Sequence, residues 1–315
     1  AGGSAIGARA SALVTFGLGA EAVLRDVRTG EELRRLSVEG GTTGVAMSED
    51  GAWLAMWGPA GNLHLLNLQN RDEEPRPWLA LEAAPRAVRL CATGETVAIV
   101  DHEGTLLHIE RASQRELARI AGLDLATADV GRSGALAAGS SKGEVYLVQG
   151  GEAIRLGAHD SAVRGMAFDP DGGRLVSVGN DGMVSMWDAG ERTRRWQTRA
   201  SPNKLVATAW SADGGLIFVG GTDARVSALD AATGAARWNG LGHSSTIVEL
   251  GGLESGEALS VAIDGQVRWW TEESVTRTER IVRPTSHDLL RSVSVRDGFI
   301  VTDWHGNACL VDLDG

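Results

Sequence analysis

Two groups of residues carry side chains that could do chemistry together. One is His159, Ser177, Asp181 and Trp187; the other is His243, Ser260, Asp264 and Trp270, with the same Ser-to-Asp and Asp-to-Trp spacing. Serine, histidine and aspartate are the parts of a nucleophilic triad, in which imidazole takes the hydroxyl proton and the carboxylate orients the imidazole. A hydrolytic site has no reason to occur twice at positions locked to a sequence repeat. The catalytic reading is therefore set aside, and no catalytic residue is assigned.

The stretch around the first group, HDSAVRGMAFDPDGGRLVSVGNDGMVSMWD from His159 to Asp188, reads as three strands joined by a DG turn and an NDG turn. Parts of it recur with a period of about 40 residues, the range of repeat architectures. The first turn returns in MSEDGAWLAMW, AWSADGGLIFV and VRDGFIV. The second turn and third strand occur in eight copies, among them AGNLHLLNL, HEGTLLHIE, SKGEVYLVQ, DARVSALD and DGQVRWWT, and a fourth strand follows seven of them. Apolar runs between Gly, Asp and Asn turns, without helical periodicity, predict an all-β chain. Four antiparallel strands per repeat, repeated radially, make a single β-propeller over residues 1–315, with eight blades expected and seven as the alternative. Inner strands are expected to begin near residues 3, 42, 86, 124, 162, 204, 245 and 289. The last blade lacks an outer strand. Residues 1–9 could serve as that strand or as the inner strand of the first blade, and the spacing from Ala5 to Val14 favours the inner placement.

At this point the chain resembles the WD-repeat (WD40) family, over essentially its whole length and strongly in two repeats. The resemblance implies that His159, Ser177, Asp181 and Trp187 form a buried hydrogen-bond chain, with Asp188 as the signature aspartate, and that His243, Ser260, Asp264 and Trp270 form a second. A partly completed polar network leaves unpaired donors in low dielectric, so divergent repeats should discard it whole. Val219 and Leu229 replace the Ser and Trp in one repeat, Ile99 and Ile109 in another. Trp78, Trp196 and Trp238 fall in outer strands and are assigned to packing between blades.

In such a scaffold function is carried by what differs between repeats, chiefly the loops joining outer to inner and second to third strands. The candidates for a partner-binding face are Trp304 and His305 in TDWHGN with Asp303 before them; Asp101, His102 and Glu103 in VDHEG; Trp57 in MWGPAG; Asn180 beside Asp181; and Arg164 at the start of an inner strand. Trp304 stands where the family has a small polar residue, and an exposed Trp is a typical interface anchor; the structural alternative is packing over the rim of the first blade. Convergence of Asp101, His102, Asp303 and His305 on a central metal would require the third and eighth blades to be neighbours. No two of the seven histidines are spaced as a ligand pair, so no metal and no cofactor are expected. No phosphate loop, dinucleotide fingerprint or nucleophile elbow is present in the sequence.

A formal net charge of -11 and a pI near 5.2 argue against nucleic acid as a partner, because phosphate binding needs clustered Lys and Arg. No apolar run approaches the roughly 18 residues of a membrane span. Cys91 and Cys309 cannot staple a framework, which fits a reducing, cytoplasmic compartment. Lys142 and Lys204 are the only lysines beside many arginines, a bias read as bacterial codon usage. The opening AGGSAIGARA lacks an initiator Met, as expected if the Met was removed or if the domain was excised from a longer chain. The expectation is a non-catalytic protein–protein interaction scaffold or sensor, monomeric as a propeller, that binds a protein or peptide partner within a signalling or defence complex. The alternative is a propeller enzyme with a metal in its central channel.

Overall fold

Short runs of Val, Ile, Leu and aromatic residues between Gly-, Asp- and Asn-bearing turns become strands throughout. The computed structural model describes residues 3–6, 12–16, 21–26, 32–48, 51–70, 73–91, 93–132, 134–252, 257–264, 266–272, 281–282, 289–295, 298–303 and 308–312.

The strands group in chain order. The first sheet is β1 (Gly3–Ile6), β2 (Ala12–Phe16), β3 (Glu21–Asp26) and β4 (Glu32–Ser37). The second is β5 (Gly44–Met47), β6 (Trp53–Trp57), β7 (Asn62–Asn67) and β8 (Arg76–Ala80). The third is β9 (Pro85–Leu90), β10 (Thr96–Asp101), β11 (Leu106–Glu110) and β12 (Glu116–Ile120). The fourth is β13 (Leu125–Val130), β14 (Leu136–Ser140), β15 (Glu144–Gln149) and β16 (Glu152–Ala158). The fifth is β17 (Val163–Phe168), β18 (Arg174–Gly179), β19 (Met183–Asp188) and β20 (Thr193–Arg199). The sixth is β21 (Leu205–Trp210), β22 (Leu216–Gly221), β23 (Arg225–Asp230) and β24 (Ala236–Leu241). The seventh is β25 (Ile247–Gly252), β26 (Ala258–Ala262), β27 (Val267–Trp270) and β28 (Ile281–Val282). The eighth, β29 (Leu289–Val295), β30 (Gly298–Asp303) and β31 (Ala308–Asp312), has three strands among the described residues.

The expected all-β architecture of four-stranded antiparallel blades is present, and eight inner strands begin close to the positions read from the repeat. β1 pairs with β2 in antiparallel register, Ala5 opposite Val14, so the N-terminal segment is the inner strand of the first sheet.

The chain divides into two compact units: residues 1–103, 107–116 and 284–315 in the first, and 104–106 and 117–283 in the second. Within each, the core lies between the faces of successive sheets. In the first unit Ala55, Leu63 and Leu65 meet Val88, Val97 and Ile99. In the second, Val176, Val178 and Met186 meet Leu205, Val219 and Leu229. Further along, Phe218 and Trp238 join Ile247 and Trp270, the first two rings 5.8 Å apart. Second strands such as β18 and β22 are buried on both faces, so their sequences are almost wholly apolar, with Ser177 of β18 the buried polar exception. Outer strands such as β20 are largely exposed, and TRRWQTR is correspondingly polar.

The outer-strand tryptophans expected to pack between blades do so, and two add a hydrogen bond. Trp78 Nε1 donates to Arg111 O at 3.1 Å, and Trp196 Nε1 to Ala231 O at 3.0 Å, in each case just beyond the third strand of the next sheet. Trp238, 6% exposed, holds the same position, but its Nε1 has no partner among the described residues. Trp196→Phe should therefore cost about 1 kcal/mol by removing a made bond, whereas Trp238→Phe should cost little or nothing. Chemical denaturation of the two variants checks this, and equal losses would contradict it.

Candidate functional site

The structure brings each Ser/His/Asp/Trp group together at the end of a sheet in the second unit. His159 precedes β17, Ser177 lies on β18, Asp181 in the β18–β19 turn and Trp187 on β19. Trp187 Nε1 donates to Ser177 Oγ at 2.9 Å; Ser177 Oγ lies 2.8 Å from His159 Nε2; His159 Nδ1 lies 3.1 Å from Asp181 Oδ2. The second group repeats these contacts at 2.7, 2.7 and 3.0 Å. The direction of the chain follows from the ends. Indole N–H only donates and carboxylate only accepts, so the serine proton points to Nε2 and the imidazole carries its proton on Nδ1. Each aspartate also accepts two backbone N–H groups, from Asp160 and Met183 or from Ser244 and Gln266.

This arrangement closes turns and leaves no reactive group free. The serine and tryptophan are at most 3% exposed, and the side chains of His159 and His243 are fully buried. Burial pushes both imidazoles below the ordinary histidine range, an effect larger than the opposing pull of Asp181 and Asp264. A neutral histidine between a hydroxyl and a carboxylate resembles a triad in composition, but no substrate surface reaches it.

One supporting feature escaped the sequence reading. A Cβ on Gly157 in β16 would stand 2.6 Å from the Trp187 ring, and one on Gly240 in β24 would be closer still to Trp270. Each indole fits because the preceding outer strand has no side chain there. The dipeptide signal was visible in LGAH and GLGH, yet only the packed sheets show what the glycine admits.

The divergent repeats replace the chain as expected, with apolar packing. Val219 and Leu229 are 0% and 2% exposed, Ile99 and Ile109 0% and 3%. The turn is then held more cheaply: Asp223 accepts a 2.6 Å bond from Ser201, a substitute for the histidine that the sequence did not reveal. In the fourth sheet Lys142 takes the aspartate's place and pairs with Asp124 at 2.6 Å.

The candidate interaction residues fare differently. Arg164 is the extra residue of a β-bulge between Val163 and Gly165, which turns it outward; it is exposed. The corresponding residues of the other sheets in that unit, Ala126, Val206 and Val248, are uncharged. Asn180 is half-buried beside it, its N–H bonded to Ala162 O. In the first unit His102 and Glu103 are exposed at the β10–β11 turn, while Asp101 is 8% exposed and accepts the Glu103 N–H. Trp57, expected on a binding face, is instead 7% exposed, its ring against Gly44: its position in the second strand faces the neighbouring sheet. Asp303 ends β30, and Trp304 and His305 lie outside the described residues. Among the described residues no three His, Cys, Asp or Glu side chains are grouped to hold a metal ion.

The sheets define the class as a β-propeller. The chain is similar in structure to the crystal structure of the computationally designed Ika8 protein, with TM-score 0.82 and 16% identity over 98% of this chain and 95% of the other, a likeness that shows the fold. Residues 152–188 match the WD40 family model, described as WD domain, G-beta repeat, which spans the outer strand β16 and the first tetrad. The chain is also similar to the Nuclear distribution protein nudF of Aspergillus niger, 27% identical over 179 residues that cover 55% of this chain and 35% of that protein. The nudF protein of Aspergillus terreus is 29% identical over 159 residues, 49% of this chain and 31% of that one. The chain thus spans about a third of the length of these curated relatives. These matches support the WD-repeat family, whose repeats generally mediate protein–protein interaction.

Asp181→Ala or Asp264→Ala should cost roughly 1–3 kcal/mol, since each strands a buried imidazole and two backbone donors. Asp223→Ala, which frees an adaptable serine, should cost less; equal shifts in thermal melts would argue against the tetrad as the stabilising unit. Stability should also depend on pH. Burial lowers the folded-state pKa of His159, His243, His64 and His108. Their neutral forms favour the fold fully above the unfolded value of about 6.5, and that contribution is lost as pH falls below it toward the folded values. Melting temperature measured from pH 8 down to pH 5 should fall over that window, and a flat profile would contradict it.

Proposed function

We propose that this chain is a non-catalytic interaction module that holds a protein or peptide partner against its turn surfaces. One observation carries the reading. The residues with catalytic composition are duplicated, buried and closed on themselves, while residues at the second-to-third-strand turns differ from sheet to sheet: exposed His102 and Glu103, exposed Lys142 and half-buried Asn180. A scaffold that spends its buried polar groups on fixing turns presents different surface chemistry at each turn. Arg164 on its bulge is the outward charge in the second unit best placed to read such a partner. We extend the proposal to a bacterial, cytoplasmic setting within a signalling or defence assembly, in keeping with the arginine bias, the free buried Cys91 and the absence of a helix long and apolar enough to cross a membrane among the described residues.

The test is affinity capture with the purified chain from the source cells, comparing wild type with the double variants Arg164→Ala/Asn180→Ala and His102→Ala/Glu103→Ala. A specific protein partner lost from one variant without a change in melting supports the module. Capture unchanged in both would remove these turns as the docking face. Stoichiometric zinc, calcium or iron in the purified protein would instead favour the metal-dependent enzyme.

A further inference from the structure

The turns after the third strands of the third, fifth and sixth sheets share a form, seen most simply in the sixth sheet. There Asp230-Ala231-Ala232-Thr233-Gly234 is pinned by Asp230, which accepts bonds from Ala232 N, Thr233 N and Thr233 Oγ1. Gly234 takes a left-handed φ of 72°, and the Trp196 ring lies directly over it, 2.7 Å from where a Cβ would stand. Ala231 is 1% exposed beneath the same ring. The indole seals the turn because both residues are small.

The third sheet has Glu110-Arg111-Ala112-Ser113-Gln114 in the same place. Trp78 still donates to Arg111 O, but the small residues are gone. Gln114 keeps the left-handed backbone at φ 55°, a conformation that costs a non-glycine residue about 1 kcal/mol or more and is held here by a 2.8 Å bond from its Nε2 to Trp78 O. Arg111 cannot lie under the tryptophan. Its guanidinium stacks on Trp53 at 3.5 Å, tethered through Nε to Gly94 O at 2.7 Å.

The result is an open cavity of about 340 Å³ wholly within the first unit, lined by Trp53, Glu73, Arg76, Trp78, Arg111 and Gln114 among others. Among the described residues Arg111 forms no hydrogen bond through its two terminal nitrogens, and the Arg76 side chain forms no hydrogen bond or ion pair. The lining thus holds two guanidinium groups without an ion pair among the described residues, Arg76 and Arg111, against one carboxylate, Glu73, in a chain of formal net charge -11. Glu110, nearby in the turn, is already occupied by Arg115 and Ser113.

We propose that this cavity is a binding site for an acidic peptide segment, with a glutamate or aspartate side chain between Arg76 and Arg111 and an adjoining apolar residue on the Trp78 ring. A guanidinium pre-oriented by stacking loses little freedom on binding a carboxylate, and its fork matches the two oxygens. Aromatic walls supply apolar area at low entropic cost. The site is separate from the turn surfaces described above and stands independently of them.

The acetylated, amidated peptide Ala-Leu-Glu-Glu-Leu-Ala should bind saturably, with shifts in the indole N–H resonances of Trp53 and Trp78 and an affinity that falls with added salt. Arg76→Gln, which removes no side-chain hydrogen bond or ion pair to the described residues, should weaken binding about tenfold, and Arg111→Gln by at least as much. Capture of a partner through Arg164, Asn180, His102 or Glu103 should be unaffected by Arg76→Gln, so the two readings fail separately. Absence of saturable binding, equal affinity for the Ala-Leu-Gln-Gln-Leu-Ala peptide, or unchanged affinity in Arg76→Gln would overturn the assignment. So would displacement of the peptide by equimolar inorganic phosphate, which would mark a simple anion site.

Discussion

Every second strand in the well-packed sheets is covered on both faces, and the rest of the structure depends on that constraint. A sheet packed on both sides has no solvated face on which to place a polar group, so any polar group inside must be satisfied there. The tetrads meet this condition by directionality. A donor-only indole and an acceptor-only carboxylate bracket a hydroxyl and an imidazole, and each intermediate group gives one proton and receives one. The chain therefore tolerates no missing member, and the third and sixth sheets replace serine and tryptophan together, by Ile99 and Ile109 and by Val219 and Leu229.

The same constraint governs the edges. The outer strand β20 carries three arginines, and an outer strand is also where tryptophan can reach across to a neighbour's turn. Trp78 and Trp196 make that reach with a hydrogen bond, Trp238 without one among the described residues. What lies under the ring decides the local surface. A glycine and an alanine let Trp196 close its turn; glutamine and arginine beside Trp78 hold a cavity open. A change of two side chains on one scaffold turn thus converts a sealed joint into a recessed, positively charged surface.

Function on such a frame is a matter of decoration. The bulge that begins each inner strand in the second unit turns one residue outward, and only in the fifth sheet is that residue charged. The β10–β11 turn makes a similar choice in the first unit, with Asp101 spent on the turn and His102 and Glu103 left at the surface.

Much of this was legible in the chain itself. Strand type, repeat period, the number of sheets and both tetrads follow from local pattern, because turn chemistry and apolar runs act over a few residues and recur. The inner-strand placement of residues 3–6 was readable from spacing alone. Tertiary structure decided what depends on distant neighbours. Trp57 reads as a loop tryptophan, but its place in β6 turns it against the adjacent sheet. Ser201 reads as an ordinary loop serine, yet it meets Asp223 from another turn. Gly157 and Gly240 are merely small until an indole from the next sheet needs their space. Arg111 and Gln114 look like solvated turn residues, and only the approach of β6 and β8 makes them the wall of a cavity. Local sequence sets what each segment is; which side chain is covered is set by the surface that packs on it, and that surface belongs to residues far away in the chain.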